Sequence, residues 1–349
     1  MTPQLPTATD AAAPLLCIGR IGETPDAATF VFAAPDSQPL AYKAGQFVVF
    51  TVDVGDRQLH RAYSLSSTPT RPEHVTITVK RVPGGQVSNH LLDHLRPGHA
   101  LHAMPPAGDF NIVDRPSTGD VVLLSAGCGI TPCLSIARWL LDTAPAVRIE
   151  FIHSARSGDD VIMAETLDRL HREHANFQLT RVLEQPARAE DLAGPLARPL
   201  FDQLLPELDG RTVFTCGPQP YMDAVRSFAE ERGFDMRYFH SESFTPADAA
   251  ERGQTSALAS SDQRYTVSAP AFGKSGEIAS TQSLLEALES AGVPIVGACR
   301  SGVCGSCKCQ IVEGQVDSTS SATLSADEIS SGVVLACSST ARSDLVVAL

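Results

Sequence analysis

Four cysteines near the end of the sequence constrain this chain more than any other feature. Cys299, Cys304 and Cys307 are spaced C-x4-C-x2-C, and the single Cys337 follows much later. Three close thiolates and one distant thiolate form the ligand pattern of a plant-type [2Fe–2S] cluster. Zinc sites usually combine two pairs of closely spaced cysteines instead. Zinc or free thiols are therefore the alternative interpretation. The spacing therefore predicts a protein that carries single electrons.

Glycines accompany these cysteines. Gly297, Gly302 and Gly305 lie just before or between the first three of them. A loop that brings three sulfurs to one small inorganic core needs residues without a Cβ, whose N–H groups can turn inward. The glycines therefore favour a cluster loop.

Length, charge and cysteine content narrow the class of protein. The 349 residues are too many for one compact core and predict two or three domains. A net charge of -13 argues against nucleic acid as a partner. The nine cysteines are too few for a disulfide scaffold and suit a reducing compartment. No apolar run is long enough for a membrane span, and the start lacks a basic leader, so we expect a cytoplasmic protein.

The hydrophobic pattern changes twice along the chain. Short β-branched and aromatic segments come first, strands alternating with helices come next, and a small sheet with one helix comes last. This pattern predicts a multidomain α+β and α/β fold. The predicted order is a disordered tail at 1–13, an antiparallel β-barrel at 14–115, a parallel-sheet α/β domain at 116–244, a flexible linker at 245–263 and a small sheet domain at 264–349.

The barrel contains the segment Arg61-Ala62-Tyr63-Ser64. An arginine offers a fork for a phosphate, a tyrosine a flat face for an aromatic ring and a serine a small hydroxyl, which together suit a phosphorylated flavin. Downstream, Gly84 and Gly85 lead into a helix whose free N–H groups suit a pyrophosphate. The alternative is a hairpin turn followed by a surface helix that Ser88 caps.

Two loops of the α/β domain have the composition of a nucleotide site. The apolar run Val121–Leu124 leads into the glycine loop Ser125–Pro132 and then a helix, which is the usual nucleotide cradle without the third glycine of the full fingerprint. Cys216, Gly217 and Pro218 follow another strand at the edge where open α/β sheets bind ligands. The alternative for Cys216 is a buried structural cysteine.

In this order, the motifs resemble the ferredoxin–NADP reductase superfamily, in its form with a plant-type ferredoxin domain fused at the C-terminus. The resemblance extends from Leu15 to Leu349. It implies a flavin-binding barrel, an NAD(P)-binding α/β domain and a β-grasp [2Fe–2S] ferredoxin domain. The four cysteines of the first motif are then the cluster ligands.

The resemblance also implies roles for individual residues. Ser64, Cys216 and Glu242 are the expected catalytic residues. The expected flavin-binding residues are Arg61, Ala62, Tyr63, Ser64, Thr78, Val79, Lys80, Gly85, Val87, Ser88 and Phe244. The expected NAD(P)H-binding residues are Gly127, Gly129, Thr131, Pro132, Arg156, Cys216, Gly217 and Pro218.

The same resemblance bears on cofactor choice. The segment Pro106–Phe110 is similar to that of relatives that use FAD and differs from that of phthalate dioxygenase reductase-like proteins, which use FMN. FAD is therefore expected. Arg156 suits the 2′-phosphate of NADPH, yet NADH-using relatives also carry an arginine near this position, so NADH is favoured.

The expected function is electron transfer from NAD(P)H through FAD and the cluster to an acceptor protein. The leading acceptor is the terminal component of a Rieske-type monooxygenase, such as one that demethylates a quaternary amine, and the second is a hybrid cluster protein. An electron carrier or cluster sensor without enzymatic activity is the alternative of a different class. Cys17, Cys128, Cys133 and Cys309 have no assigned role.

Overall fold

A computed structural model describes most of the chain. The described residues are 13–33, 40–115, 117–186, 188–244, 263–297, 300, 302, 305–321 and 323–349. The predicted tail up to residue 12, most of the predicted linker, and the ligands Cys299 and Cys304 lie outside them. Two compact units result: one holds Ala13–Leu59 and Tyr63–Phe244, and the other holds the C-terminal module with His60–Ala62.

The first module is an antiparallel barrel. Its elements are β1 (Ala13–Thr24), β2 (Ala27–Ala33), β3 (Phe47–Val54), β4 (Arg57–Ser64), β5 (Val75–Lys80), α1 (Gln86–His94) and β6 (Ala100–Ala103). The strand order is β4-β3-β6-β1-β2-β5, and a bridge between Leu65 and Ile77 joins its two ends. Fully buried Phe30, Phe32 and Phe50 fill the interior, because alternate residues of a strand face the same side.

The second module is a parallel α/β sheet. Its elements are β7 (Val121–Ala126), α2 (Ile130–Thr143), β8 (Ile149–Ser157), α3 (Ala164–Glu173), β9 (Phe177–Gln185), β10 (Leu192–Ala193), α4 (Arg198–Leu204), β11 (Thr212–Cys216), α5 (Gln219–Glu231) and β12 (Phe239–Glu242). The strand order is β10-β9-β8-β7-β11-β12, and every residue of β7 is buried. The chain runs outward from β7 to β8 and β9, and later returns to the other side as β11. The switch point therefore lies between β7 and β11, which is where open α/β sheets bind ligands.

Helix α3 begins later than the sequence pattern predicts. The periodic segment starts at Val161, but the helix starts at Ala164, after Met163 in the left-handed region at φ 58°. The backbone N–H of Met163 donates to Glu23 Oε2 of the barrel at 3.0 Å. A side chain of the barrel therefore satisfies the amide of the residue that precedes this helix, through a contact that is distant in sequence.

The third module has a mixed sheet. Its elements are β13 (Arg264–Ala269), β14 (Lys274–Ala279), α6 (Leu284–Ser290), β15 (Lys308–Glu313), β16 (Val316–Ser318), α7 (Ala326–Ser330), β17 (Val333–Leu335), β18 (Ser339–Ala341) and β19 (Leu345–Ala348). Five strands lie in the order β14-β13-β19-β15-β17, and β13 is parallel to β19. Ser283 and Glu286 form a capping box that starts α6, whose apolar side chains pack into the module's core.

One prediction about this module was wrong in detail. The apolar run from Val333 to Cys337 predicts a strand that carries the last ligand, but β17 ends at Leu335 and Cys337 lies in a 3₁₀ turn, Ala336–Ser338. The turn directs its thiol toward the cysteine loop, as described below. None of the helices in the described part of the chain is long and apolar enough to cross a membrane.

A buried histidine lies at the centre of the parallel sheet. His153 on β8 is fully buried, and its Nδ1 lies 2.8 Å from the hydroxyl of Ser125 on β7. Burial, with a smaller contribution from Arg181, lowers the pKa of His153 to about 4. The imidazole is therefore neutral in the folded protein at neutral pH.

We expect acid to destabilise this module through His153. In the unfolded chain His153 is protonated below a pKa of about 6.5, whereas in the folded protein it stays neutral down to about pH 4. The free energy of unfolding therefore falls as the pH is lowered from about 6.5 to about 4. The full loss is on the order of 3 kcal/mol at about 1.4 kcal/mol per pKa unit. Urea midpoints across this pH range measure it. His153→Asn should flatten the dependence and exposed His99→Gln should not; an unaltered slope in His153→Asn contradicts the assignment.

Candidate functional site

The two loops at the switch point of the parallel sheet touch through their backbones. A Cβ added at Gly129 would lie 2.0 Å from the carbonyl oxygen of Cys216 and 2.6 Å from the amide nitrogen of Gly217. A Cβ at Gly217 would lie 3.0 Å from the Cβ of Ala126. No side chain fits at Gly129, so the glycine loop after β7 and the Cys-Gly loop after β11 form one continuous surface.

The N-terminus of α2 opens onto this surface. Gly127 has φ +53°, and a Cβ there would meet nothing within 4 Å, so space lies above it. The helix is 14 residues long and Gly129 gives it no side-chain cap. Its first N–H groups therefore have no side-chain acceptor and suit a phosphate. The hydroxyl of buried Thr131 donates to the Cys128 carbonyl at 3.1 Å and holds the loop, while Pro132 is buried beside it.

The three expected catalytic residues converge at this edge. Cys216 ends β11 and pairs in register with Glu242, which ends β12. The buried hydroxyl of Ser64, at the end of β4 in the barrel, donates to Glu242 Oε2 at 3.4 Å. Two strand ends of the α/β module and one of the barrel therefore meet.

The thiol of Cys216 is uncharged at this site. Burial, and then the Glu242 carboxylate, raise its pKa well above the usual range of a cysteine. The residue is fully buried, as the structural alternative for it required, but it also lines the loop contact with Gly129. It can therefore act as a neutral, weakly hydrogen-bonding wall and not as a thiolate nucleophile.

The barrel side of the site contains a second helix N-terminus. Gly85 begins α1 without a side-chain cap, and a Cβ there would lie 2.7 Å from Ser88 Oγ. That hydroxyl is buried and has no hydrogen-bond partner among the described residues. The alternative of a surface helix capped by Ser88 is therefore wrong, because Ser88 lies inside the helix. An orphaned hydroxyl, a glycine and open N–H groups fit a pyrophosphate; Val87 beside them is buried.

The expected flavin residues of β5 are held within the protein. The Thr78 hydroxyl lies 2.8 Å from that of Thr29, Val79 is fully buried, and Lys80 pairs with Asp26 at 2.8 Å. Their side chains therefore make contacts within the protein, on a strand that lies beside the site.

The expected flavin residues of β4 and the C-terminal edge are more open. Arg61 is exposed, Ala62 and Tyr63 are half-buried, and the ring of Tyr63 lies 6.4 Å from that of Phe50. Phe244, after β12, is 45% exposed. An open aromatic residue and an exposed guanidinium are suited to a large planar, phosphorylated ligand.

Sequence reasoning left one residue of this region without a role. The Cys128 thiol donates to the Thr78 carbonyl at 3.7 Å and so joins the glycine loop to the barrel. Burial raises its pKa to about 11. In the sequence, only the position of Cys128 between two glycines of the loop could have indicated a role for it. Cys17, Cys133 and Cys309 are fully buried in the three hydrophobic cores and are structural.

In the third module, two of the four expected cluster ligands are described, and they lie together. The amide of Gly302 donates to Cys337 Sγ at 3.1 Å, and the amide of Cys337 donates to Cys307 Sγ at 3.4 Å. Both cysteines are buried. Amide donors aimed at buried sulfurs suit thiolate ligands of an iron–sulfur cluster.

The cluster loop depends on its glycines. Gly302 has φ +77° and Gly305 has φ +74°, and a Cβ at Gly302 would lie 2.7 Å from the Cβ of Ser320. Arg300, also left-handed at φ 55°, is tied to Glu289 of α6 by an ion pair of 2.6 Å. At these three residues of the loop the backbone is therefore left-handed, and the amide of Gly302 points toward the sulfur of Cys337.

Together these features define a class of protein. The switch-point loops fit a dinucleotide, the barrel helix and β4 fit a phosphorylated flavin, and the cysteine loop fits a cluster. This combination is that of a flavoprotein reductase that passes electrons to an iron–sulfur centre.

Comparisons with known proteins identify the modules. Three family models match the chain: an oxidoreductase FAD-binding domain at residues 18–112, an oxidoreductase NAD-binding domain at 123–227 and a 2Fe-2S iron-sulfur cluster binding domain at 273–342. The glycine betaine monooxygenase reductase subunit of Pseudomonas aeruginosa is 36% identical over 344 residues, which cover 95% of this chain and 93% of that protein. NADH oxidoreductase HCR of Escherichia coli is 38% identical over 326 residues, covering 93% and 94% respectively.

A solved structure supports the same architecture. A phthalate dioxygenase reductase, described as a modular structure for electron transfer from pyridine nucleotides to [2Fe–2S], aligns with a TM-score of 0.63 and 27% identity, covering 98% of this chain and all of that one. The chain belongs to the ferredoxin–NADP reductase superfamily, in the form with a C-terminal [2Fe–2S] ferredoxin domain. It is an NAD(P)H-dependent, FAD-binding oxidoreductase with a [2Fe–2S] domain, so neither the zinc alternative nor the non-enzymatic carrier holds.

The contact at Gly129 predicts a sharp mutational effect. In Gly129→Ala the added methyl must push the Cys216–Gly217 backbone away, because backbone atoms cannot yield at 2.0 Å. We expect kcat/KM for NADH-driven ferricyanide reduction to fall by about a hundredfold, with FAD content unchanged. Gly22→Ala is the matched control, since a Cβ there meets nothing within 4 Å. Wild-type kinetics in Gly129→Ala would show that the two loops do not form the nicotinamide surface.

Proposed function

We propose that this chain is the reductase component of a Rieske-type monooxygenase system that demethylates a quaternary amine. It takes electrons from NADH at the switch point and delivers them through FAD and its [2Fe–2S] cluster to the terminal oxygenase. The observation that carries the reductase half of this proposal is the hydrogen bond from Ser64 to Glu242 beside Cys216. It joins the flavin side of the barrel to the nicotinamide side of the sheet.

The described residues of each site fit the cofactor that we propose for it. We therefore assign their roles from where they lie in the structure. FAD, the nicotinamide and the cluster, when bound, supply hydride acceptance and one-electron transfer. The Ser64 hydroxyl donates a hydrogen bond to Glu242 and so presents only its oxygen lone pairs to the ligand side. Cys216, kept as a neutral thiol, adds no charge next to the nicotinamide surface. Gly127 leaves open space for the dinucleotide, while Gly129 and Gly217 let the two loops meet beneath it.

The remaining assignments follow the same logic. Arg61, Tyr63, Gly85 and Ser88 hold the flavin's phosphates and ring, and Phe244 covers its edge. The cluster ligands are Cys299, Cys304, Cys307 and Cys337. The buried pair of sulfurs with amide donors supports this set for the two described members, and the C-x4-C-x2-C spacing supports it for the other two.

The acceptor follows from the relatives. The match to the glycine betaine monooxygenase reductase subunit covers nearly the whole of both chains, which supports an oxygenase acceptor. The similar match to NADH oxidoreductase HCR supports a hybrid cluster protein as the second candidate. A plant-type cluster has a potential on the order of -400 mV, low enough to reduce a Rieske centre.

Reconstitution tests this route. We expect the holoprotein, NADH, dioxygen and a purified glycine betaine monooxygenase oxygenase component to release formaldehyde from glycine betaine, with the second oxygen atom reduced to water. Cys304→Ser should abolish this activity and cytochrome c reduction while retaining ferricyanide reduction near the wild-type rate, because only the one-electron outlet is lost. Cys309→Ser is the control, since Cys309 belongs to the hydrophobic core.

The outcomes separate the two parts of the proposal. Full cytochrome c reduction by Cys304→Ser contradicts the cluster route. Failure with the oxygenase, combined with rapid reduction of a hybrid cluster protein, contradicts the acceptor while leaving the route intact.

The preference for NADH rests on an ion pair in the α/β module. Arg156 Nη2 lies 2.6 Å from Asp160 Oδ1, and the hydroxyl of Ser157 donates to Asp160 Oδ2 at 2.9 Å. A 2′-phosphate beside Arg156 would therefore also meet the Asp160 carboxylate. Like charges in close proximity select against a ligand.

Removing that carboxylate should change cofactor choice. In Asp160→Asn, Arg156 loses its anionic partner, and we expect kcat/KM for NADPH to rise about tenfold while that for NADH changes less than about twofold. Asp159→Asn, an exposed neighbour that makes no ion pair with Arg156, should leave both values unchanged. Ferricyanide reduction with each nucleotide measures the ratio. An unchanged NADPH value in Asp160→Asn contradicts the proposed selection.

A further inference from the structure

A second cleft lies away from the switch point, between the barrel and the α/β module. Its volume is about 510 Å³, within the range of small-ligand sites. The segment between β4 and β5 forms one wall, and helices α2 and α3 form the other. Three arginines line it, Arg71 from the barrel, Arg138 from α2 and Arg169 from α3, and His74 and His174 lie among them.

Arg138 has an uncompensated charge. Its Nη1 donates to the Ser66 carbonyl at 2.7 Å, and within the described ranges it forms no ion pair with a carboxylate. Burial, then Arg169 and Arg71, lower its pKa to about 10, so the guanidinium stays protonated at neutral pH. A guanidinium has five donors, and one carbonyl leaves most of them to other partners.

The other two arginines are available to a ligand. Arg169 pairs with Glu173 at 3.2 Å, and both side chains are about half exposed. Arg71 pairs with Asp142 at 2.6 Å, and 60% of its side chain is exposed. Exposed pairs of this kind contribute little to stability. Either arginine can therefore turn toward an anion in the cleft at small cost.

We infer that this cleft binds a small multivalent oxyanion, of which phosphate, free or as a monoester, is the simplest. Guanidinium forks match the oxygens of phosphate in pairs, and arginines from three chain segments line this cleft. Glu73 and Glu173 also line the cleft, but the three guanidinium groups outnumber these two carboxylates, so the lining is net positive and attracts a doubly charged anion more strongly than a singly charged one. The bound anion bridges the two modules that hold the flavin and nicotinamide surfaces, and it stabilises their pairing.

Thermal unfolding of the FAD- and cluster-loaded protein tests the site. Sodium phosphate is titrated at constant ionic strength against chloride, with glycerol 3-phosphate and acetate in parallel. We expect a saturable rise of the unfolding midpoint with both phosphate compounds and none with acetate. A rise with inorganic phosphate alone indicates that the free ion is the ligand, and an equal rise with the monoester indicates that the cleft accepts a larger group; either supports the site.

Variants locate the binding. Arg169→Gln, on the exposed rim, should weaken the apparent phosphate affinity at least about fivefold, and Arg138→Lys should weaken it while keeping the charge. Arg172→Gln removes one charge from the same helix outside the cleft lining and should respond as the wild type does. NADH-driven ferricyanide reduction without phosphate should be unchanged in Arg169→Gln, which shows that the variant is folded. A wild-type phosphate response in Arg169→Gln, or no saturable response in the wild type, overturns the inference.

Discussion

The organisation of this protein depends on one backbone contact, that of Gly129 with Cys216 and Gly217. Because a Cβ at Gly129 would lie 2.0 Å from a carbonyl oxygen, the loops after β7 and β11 can meet only with glycine there. These loops flank the strand-order reversal of the parallel sheet, so the contact creates a flat surface where a dinucleotide can lie. The same register brings Glu242 beside Cys216 and within reach of Ser64 of the barrel.

Electrostatics at that contact are arranged around a single carboxylate. Glu242 accepts a hydrogen bond from Ser64 and helps to keep the Cys216 thiol protonated. The cluster domain uses a different arrangement, in which backbone amides donate to the buried sulfurs of Cys307 and Cys337. One part of the chain thus suits hydride transfer, and the other suits single electrons.

Much of the architecture could be predicted because its signals are local. The fully buried β7, the glycine loop after it and the cysteine spacing each follow from a short run of residues, and the family matches confirm the three modules. The misses involve contacts distant in sequence. The start of α3 coincides with a hydrogen bond from Met163 to Glu23 of the barrel, and the turn that holds Cys337 brings its thiol to the amide of Gly302. Segments that are far apart in the chain line the cleft around Arg138, so no sequence motif predicts it.

The central claim is that NADH is oxidised where Ser64, Cys216 and Glu242 meet. Anaerobic stopped-flow mixing of the holoprotein with NADH, followed at the flavin absorbance, tests it most directly. Glu242→Gln and Ser64→Ala should each slow flavin reduction about tenfold or more, while the NADH concentration dependence stays near that of the wild type. Wild-type rates of flavin reduction in both variants would contradict the account.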